Sequence, residues 1–246
     1  MAVPLVALFT DFGLQGSYVG QLHYAIVKDY PQVRVVDLFH DLPAFDIQGA
    51  AYLLAAHLPY LKPDTVVMAV VDPGVGGERP GVIVQADGRL LVGPGNGLFD
   101  RVVARAQRTQ TWKLRWQPLG GLSPSFHGRD WFAPVAAQLA AGVATPNHLG
   151  KPWTPPTLAW PDELARVVYI DHYGNAMTGI RARALAGNAQ LVVDNGVLQR
   201  RRTFCEAAVG EAFWYANANG LVEIAVNQGS AARQLDLQVG AMVAVK

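Results

Sequence analysis

Apolar and polar residues alternate in blocks along the first half of the chain, and the length of each block predicts its secondary structure. Short apolar runs are typical of buried strands, and longer runs with a helical period are typical of amphipathic helices. In chain order, the predicted elements are a strand at Leu5–Phe9, a helix at Tyr18–Tyr30, a strand at Val33–Asp37, a helix at Ile47–Leu58 and a strand at Thr65–Val71. Strands that alternate with helices predict an α/β domain with a mostly parallel sheet.

A hairpin and one more helix complete this half. The runs Gly81–Ala86 and Leu90–Val92 are joined by the turn signal Asp87-Gly88, which predicts a hairpin added to the sheet. Trp131–Ala141 is the last predicted helix before the pattern changes.

Residues 151–164 are predicted to link two domains. The prolines at positions 152, 155, 156 and 161 suit neither a helix interior nor a central strand. We therefore assign residues 1–150 to an N-terminal α/β domain and residues 165–246 to a smaller C-terminal domain. Short β-like runs predict an antiparallel β-domain or barrel there; they are Val167–Ile170, Gln190–Val193, Phe213–Tyr215, Leu221–Val226 and Met242–Val245.

The composition indicates a compact protein with a small-molecule partner. Of the 246 residues, 51% are hydrophobic and 16% are charged, which suits a chain that buries a large core. The formal net charge is +1 and no basic stripe is present, so neither nucleic acid nor an anionic membrane is indicated as a partner. Cys205 is the single cysteine, and the chain shows neither a signal-peptide pattern nor an apolar run of membrane-spanning length. These features predict a cytoplasmic protein.

An acid and a guanidinium follow the third predicted strand, in the segment Val71-Asp72-Pro73-Gly74-Val75-Gly76-Gly77-Glu78-Arg79. Open α/β sheets bind ligands beyond the carboxyl ends of their strands. Pro73 cannot extend a central strand, and the glycines permit turns and close approaches. Asp72 and Arg79 are therefore candidates for a ligand site, and the alternative is a tight surface turn with an ion pair.

Further segments place polar groups at the ends of strands or in loops: Phe9-Thr10-Asp11-Phe12-Gly13, Phe126-His127-Gly128-Arg129-Asp130, Tyr169-Ile170-Asp171-His172-Tyr173-Gly174-Asn175, Gly93-Pro94-Gly95-Asn96-Gly97 and Val222–Ala232. Together they resemble the S-adenosylmethionine hydrolase family, also called hydroxide adenosyltransferases, which is related to the S-adenosylmethionine-dependent fluorinase and chlorinase. The resemblance covers nearly the whole chain. It implies an N-terminal α/β sandwich, a C-terminal antiparallel β-barrel, and a homotrimer with active sites between neighbouring subunits.

The resemblance also implies a reaction and its residues. Water or hydroxide attacks the 5' carbon of the ribose, and adenosine and methionine are released without a metal or a cofactor. Asp72, Arg79 and His127 are implied as the catalytic group. The positions implied to bind substrate are Asp11, Phe45, Phe126, Asp171, Tyr173, Asn175, Asn227, Gly229, Ser230 and Ala231. Without the resemblance, Asp11 also suits a helix N-cap or an Asx-turn, and the aromatic residues suit a core.

This chain departs from its relatives at several positions. Gly16 stands where many relatives have an acid, and His23 stands where they often have lysine. The pattern of an apolar helix face indicates that His23 is a structural or surface residue rather than a catalytic one. Where the fluorinase has a tyrosine and a serine that help hold the halide, this chain has His127-Gly128, and it has Asp72 and Val75 where the fluorinase places a tyrosine and a threonine. These differences favour water over halide as the nucleophile.

Two other classes of function stay open from the residues alone. A metal-dependent hydrolase of a nucleoside-like molecule would use His127, Asp130 and Asp72 as ligands, although His-x-x-Asp is a weak pattern by itself. A non-catalytic nucleoside-binding protein would need Asp11 and the aromatic residues but not Asp72, Arg79 and His127 together.

Overall fold

The computed structural model describes residues 3–156 and 158–246, and the chain divides into two compact units between Leu158 and Ala159. This division lies within the segment that the sequence predicts to be a linker. The first residues of that segment, Lys151 and Pro152, belong to a strand at the edge of the first sheet, where a proline is tolerated.

The N-terminal unit is built on a seven-stranded sheet whose spatial order is β2-β1-β3-β5-β4-β6-β7. The strands are β1 (Leu5–Thr10), β2 (Arg34–Phe39), β3 (Val66–Val70), β4 (Gly81–Ala86), β5 (Arg89–Pro94), β6 (Thr109–Leu114) and β7 (Gly150–Pro152). The helices are α1 (Tyr18–Val27), α2 (Ile47–His57), α3 (Asp100–Arg105), α4 (Ala133–Ala140) and α5 (Pro146–Leu149).

Four neighbouring strands of this sheet run parallel. β1 pairs in parallel with β2 and β3, and β3 pairs in parallel with β5, whereas β4, β6 and β7 are joined through antiparallel pairs. The carboxyl ends of the four parallel strands therefore lie along one edge of the sheet. Asp11 follows β1 and Asp72 follows β3 within two residues, so the fold brings these two acids to the same edge.

Helices cover both faces of the sheet. Side chains alternate between the faces of a strand, so Val6 and Leu8 of β1 point to one face and Phe9 points to the other. Val6 and Leu8 share a buried cluster with residues of α1 and α4. The ring of Phe9 lies 6.2 Å from the ring of His57 in α2, which places that helix on the opposite face. The predicted α/β sandwich with a mostly parallel sheet is confirmed.

The C-terminal unit is a nearly closed, mostly antiparallel sheet with the order β14-β10-β11-β12-β13-β9-β8. Its strands are β8 (Leu164–Ile170), β9 (Ala176–Arg181), β10 (Leu191–Val193), β11 (Gly196–Arg200), β12 (Ala212–Ala216), β13 (Leu221–Val226) and β14 (Ala244–Val245), and its one α-helix among the described residues is α6 (Ala231–Gln234). β11 and β12 form the parallel exception. The backbone of Val243 donates to Ala165 O at 3.0 Å and thereby links β8 to the segment before β14. The predicted β-barrel is confirmed in this form.

Several element bounds differ from the prediction. The helix predicted at Tyr18–Tyr30 ends at Val27, and the helix predicted at Trp131–Ala141 consists of a π-helical turn at Gly128–Phe132 followed by α4. β6, β9, β11 and α3 were not predicted, because their residues form neither a continuous apolar run nor a clear period. Among the described residues, no helix has the length and apolar character needed to cross a membrane.

Candidate active site

The loop after β3 folds back on itself and brings Arg79 to Asp72. Two successive turns form it, because Val75 N–H donates to Asp72 O and Gly77 N–H donates to Gly74 O, each at 3.1 Å. Gly76 between them has a φ of +81°, a conformation that residues with a Cβ rarely adopt. A Cβ at Gly76 would also overlap with the carbonyl oxygen of Pro124. Glycine therefore permits the close approach of this loop to the segment that precedes His127.

Arg79 and Asp72 form a buried ion pair. The Nε of Arg79 donates to both carboxylate oxygens of Asp72 at 3.0 Å, and its Nη2 also donates to Oδ2. The side chains are only 11% and 4% exposed, respectively. Removing either partner would leave an uncompensated buried charge, at a cost of about 3–5 kcal/mol. The alternative interpretation of this loop as a turn with a surface ion pair is therefore wrong.

His127 completes the cluster. It is buried, and Nη2 of Arg79 lies 2.8 Å from its Nδ1. Arginine has only donors, so Nδ1 must accept and the neutral ring carries its proton on Nε2. The rings of Trp131 and Phe132, from the π-helical turn, contact the imidazole edge-on at 5.5 and 6.5 Å. These rings also lie against the Arg79 guanidinium.

The surroundings of His127 keep its imidazole neutral. Burial and the positive charge of Arg79 lower the pKa of His127 below its ordinary value of 6.5, although the negative charges of Asp72 and Asp130 act in the opposite direction. An imidazole in this state is uncharged at neutral pH.

Asp11 lies at the end of β1 and is held by the loop before α2. Its Oδ2 accepts a hydrogen bond from Phe45 N–H at 3.0 Å. Burial raises the pKa of Asp11 and the negative charge of Asp72 adds to this effect, whereas backbone N–H groups lower it. Phe45 itself has a φ of 67°, and its side chain is exposed. A non-glycine residue with a strained backbone conformation, next to a candidate substrate-binding residue such as Asp11, is typical of functional sites.

Phe126 belongs to an aromatic group that the sequence did not reveal in full. Its ring contacts those of Phe12 and Tyr18, with centroids 5.8 and 5.3 Å apart. Phe12 follows Asp11, and Tyr18 begins α1 six residues later, so the group connects the segment after β1 with the distant segment of Phe126. Asn96 was also missed as a supporting residue; its Nδ2 donates to Val71 O at 2.9 Å and anchors the end of β3.

In the C-terminal unit, Asp171 organises the turn that contains Tyr173 and Asn175. Its Oδ1 accepts from the backbone N–H groups of Tyr173 and Asn175, and its Oδ2 accepts from Asn175 Nδ2, at 2.8–2.9 Å. Asn175 is buried, whereas Tyr173 is exposed. Asp171 is a candidate for substrate binding, and it also fixes the conformation of this turn.

The turn packs against the segment of Gly229, Ser230 and Ala231. Gly174 has a φ of +86°, and a Cβ on it would overlap with Ser230 Oγ. The neighbouring Ala232 N–H donates to Gly174 O at 2.9 Å. Ser230 also caps α6 by accepting from Arg233 N–H. Two sets of candidates that are distant in sequence are thus adjacent within this unit.

Asn227 makes contacts within its own unit. Its Nδ2 donates to Ala207 O at 2.8 Å, and its backbone bonds to Gly210 and Glu211. Sequence reasoning missed the buried Glu223, which accepts from Tyr215 OH at 2.5 Å and Asn217 Nδ2 at 2.9 Å. Burial and nearby Asp171 raise the pKa of Glu223, while the two donors lower it.

The donors proposed for a metal do not form a metal site. Asp130 pairs with Arg129 and accepts from Ser123 N–H, and the Arg79 guanidinium contacts both Asp72 and His127. Within residues 3–156 and 158–246, no group of three or more His, Cys, Asp or Glu side chains is arranged to hold a metal ion. A cation of the protein already occupies the position between the candidate ligands.

A cavity of about 750 Å³ in the N-terminal unit lies elsewhere. Val82 and Val84 of β4 line it, whereas Ile83 between them points to the opposite face, into the cluster that contains Trp131 and Phe132. Asp100 and Arg101 on its wall pair with each other. None of the proposed catalytic or substrate-binding side chains lines this cavity.

Comparison with known proteins finds one family that matches both units. Residues 6–150 match the SAM hydroxide adenosyltransferase N-terminal domain, and residues 165–244 match the C-terminal domain of the same family, where SAM is S-adenosylmethionine. The chain is 40% identical over 251 residues to a Thermus thermophilus protein named (R)-S-adenosyl-L-methionine hydrolase, with 96% of each chain covered.

Two further relatives are more distant. A fluorinase of Nocardia brasiliensis is 25% identical over 297 residues, which cover 99% of this chain and 97% of the fluorinase. The crystal structure of an uncharacterized conserved protein from Thermotoga maritima superposes with a TM-score of 0.87 at 25% identity and covers 98% of this chain and 99% of that one. The family match spans both units, and this chain therefore belongs to the SAM hydroxide adenosyltransferase family.

Proposed function

We propose that this protein hydrolyses S-adenosyl-L-methionine to adenosine and L-methionine. The observation that carries the proposal is the Arg79 guanidinium held between Asp72 and His127, in a chain whose relatives at 36–40% identity are named (R)-S-adenosyl-L-methionine hydrolase. These three side chains are a group suited to activating water.

In this reaction the leaving group needs no assistance, whereas the nucleophile must be aligned and activated. A bond forms between the water oxygen and the ribose 5' carbon as the carbon–sulfur bond breaks, and its electron pair goes to the sulfonium, which leaves as neutral methionine. The leaving group needs no general acid. The water must instead be aligned with the breaking bond, and the proton it loses needs an acceptor.

The hydrogen bonds of the cluster support a proposed role for each group. Arg79 uses Nε and Nη2 for Asp72 and His127, and its buried Nη1 has no partner among the described residues. We assign this remaining donor to developing hydroxide, because a buried N–H without a partner needs an acceptor. The carboxylate of Asp72 accepts a hydrogen bond from the water, because its oxygens have further lone pairs, and it takes the proton as the oxygen–carbon bond forms. The Nε2–H of His127 is left to orient the oxygen.

The binding roles follow the family resemblance. Asp11 accepts hydrogen bonds from the two ribose hydroxyls, and Phe45, Phe126 and Tyr173 surround the adenosyl group. Asp171 and Asn175 meet the ribose and methionine end. The segment of Asn227, Gly229, Ser230 and Ala231 reads the edge of the adenine. The proposal for Asp11 is supported by its place at the carboxyl end of β1, where sheets of this kind bind ligands.

The first prediction tests the cluster. His127→Ala and Arg79→Ala should lower kcat by about 10²-fold or more and leave adenosine binding largely intact, because each removes a positioned electrostatic or proton-handling group. His148→Ala, at an exposed histidine, is the control. Circular dichroism checks folding, since Arg79→Ala leaves Asp72 unpaired. Wild-type turnover in folded His127→Ala would remove His127 from the mechanism.

The second prediction concerns Asp11. Asp11→Ala should weaken the binding of substrate and of adenosine together, because the ribose diol loses a charged acceptor worth about 1.5–3 kcal/mol. Isothermal calorimetry with adenosine measures this, and Asp29→Ala at an exposed acid serves as the control. An unchanged adenosine affinity in Asp11→Ala would contradict the assignment.

The third prediction concerns pH. Because burial and Arg79 lower the pKa of His127, its neutral form persists below pH 6.5, and kcat should fall only in more acidic solution. NMR titration of the His127 ring should give a pKa below 6.5. In Arg79→Met that pKa should rise, since a nearby positive charge is gone. An unshifted value in the wild type would show that the cluster does not control this proton.

The fourth prediction identifies the nucleophile. Metal-stripped protein in oxygen-18 water should convert S-adenosylmethionine to equal amounts of methionine and adenosine, with the label in the 5' hydroxyl. High fluoride or chloride should give no appreciable halogenated nucleoside, because a desolvated anion beside the Asp72 carboxylate is repelled. Unlabelled adenosine, a halogenated main product, or activity that requires added metal would each overturn the assignment.

The fifth prediction is a homotrimer with active sites between subunits, which we propose from the family resemblance. The candidates are divided between two units, and a site shared between chains makes activity depend on association. Light scattering at assay concentration should report a trimer, and specific activity should fall on dilution. A fully active monomer would refute this assembly.

A further inference from the structure

A buried histidine outside the catalytic cluster ties the ends of β1 and β2 together. His40, directly after β2, is only 2% exposed. Its Nδ1 lies 2.8 Å from Thr10 Oγ1 at the end of β1, and its Nε2 lies 2.9 Å from Asp37 Oδ1. Its backbone oxygen accepts from Gly13 N–H at 2.6 Å. Neither the sequence nor the proposed mechanism gives this residue a role.

The hydrogen bonds fix the direction of donation along this network. Burial acts to raise the pKa of Asp37, but hydrogen bonds from His40 and His23 lower it below its ordinary value, so Asp37 is an ionised acceptor. An ionised Asp37 can only accept, so the Nε2 of His40 carries the proton of that bond. Among the described residues the Thr10 hydroxyl has no acceptor other than Nδ1, so it donates there. Thr10 is completely buried, and its oxygen accepts in turn from Phe12 N–H at 3.2 Å.

At its buried end, this hydrogen-bond network holds the residues on either side of Asp11. Thr10 precedes this residue, and Phe12 and Gly13 follow it. The Thr10 hydroxyl holds Phe12, and the His40 backbone holds Gly13, so two contacts fix the backbone on which the Asp11 carboxylate is mounted. A carboxylate that receives two hydroxyls must be placed to within fractions of an ångström.

The outer end of the network is at the surface. Asp37 Oδ1 also contacts His23 Nε2 at 2.6 Å, and these side chains are 43% and 37% exposed. His23 touches neither Thr10 nor the segment around Asp11 through any described hydrogen bond. Substitution of His23 therefore serves as a control, because it changes a contact of the same Asp37 carboxylate and leaves the contacts around Asp11 in place.

We propose that His40 is a positioning residue that, through the Thr10 hydroxyl, orients Asp11 for the ribose of the substrate. This inference rests on the proposed role of Asp11. It distinguishes two functions among the histidines of the N-terminal unit, since His127 contacts the catalytic arginine whereas His40 acts on substrate binding alone.

The test compares substitutions of Thr10 that differ in one group. Thr10→Val keeps the shape and removes the hydroxyl, whereas Thr10→Ser keeps the hydroxyl. The dissociation constant of adenosine should rise about tenfold in Thr10→Val and stay within about twofold in Thr10→Ser. KM for S-adenosylmethionine should follow the same order, and kcat should change by less than about threefold. If Thr10→Val does not fold, Thr10→Ala against Thr10→Ser isolates the same hydroxyl.

A double-mutant cycle shows whether the effect passes through Asp11. In an Asp11→Asn background, Thr10→Val should weaken adenosine binding by less than about twofold further, because the group that it orients is already impaired. His40→Phe, which removes the partner of the Thr10 hydroxyl, should raise the dissociation constant of adenosine about as much as Thr10→Val, whereas His23→Ala should stay within about twofold of the wild type. Wild-type adenosine affinity in folded His40→Phe would overturn the role of His40.

The outcomes separate this inference from the proposed function. Equal losses from Thr10→Val in both backgrounds, no loss in either, or an equal loss in His23→Ala would overturn the role of His40 while leaving the hydrolysis intact. Unchanged adenosine affinity in Asp11→Asn itself would overturn the binding role of Asp11, and the inference with it.

Discussion

The buried ion pair between Arg79 and Asp72 is the interaction on which the candidate site depends. A guanidinium with so little exposure requires a compensating carboxylate, and Asp72 is presented to it at the end of β3. Once Arg79 is held there, its Nη2 reaches His127, and burial together with the charge of Arg79 keeps that imidazole neutral. The desolvation that makes the pair costly also makes each of its hydrogen bonds strong.

The parallel sheet supplies the frame for this pair. β1 and β3 are neighbours, so the acids that follow them share one edge. Burial raises the pKa of Asp11, and the charge of Asp72 adds to this effect. The two acids differ in their partners. Asp72 is neutralised by a guanidinium, whereas Asp11 is held by the backbone of Phe45. This difference in environment supports the division into a catalytic and a binding carboxylate.

In the C-terminal unit, a hydrogen-bonded turn, rather than an ion pair, positions the candidate binding residues. Asp171 uses its oxygens to hold the turn that carries Tyr173 and Asn175, and Gly174 allows that turn to meet Ser230. The turn is therefore fixed within its own unit. Residues of this kind are visible in the sequence as turn formers, whereas the segments that lie beside them are set by the fold.

The amino-acid sequence was sufficient to predict many local elements and the family. Apolar runs identified β1, β3 and the hairpin of β4 and β5, because buried strands must be continuously apolar. A resemblance spread over distant segments indicated Asp72, Arg79 and His127 as catalytic candidates, and the fold brings these three side chains together. Short or half-exposed elements such as β6 and α3 were missed, because strand pairing and packing, rather than periodicity, stabilise them.

The hydrogen-bond partners of these polar groups are determined by the tertiary structure. No spacing in the chain indicates that His40 bonds to Thr10, 30 residues away, or that Nη1 of Arg79 is left as a free donor in the described structure. Hydrogen bonds act over about 3 Å, and the strand order and turns set such distances. The sequence therefore specifies the chemical groups, and the fold sets their partners, charge states and orientation.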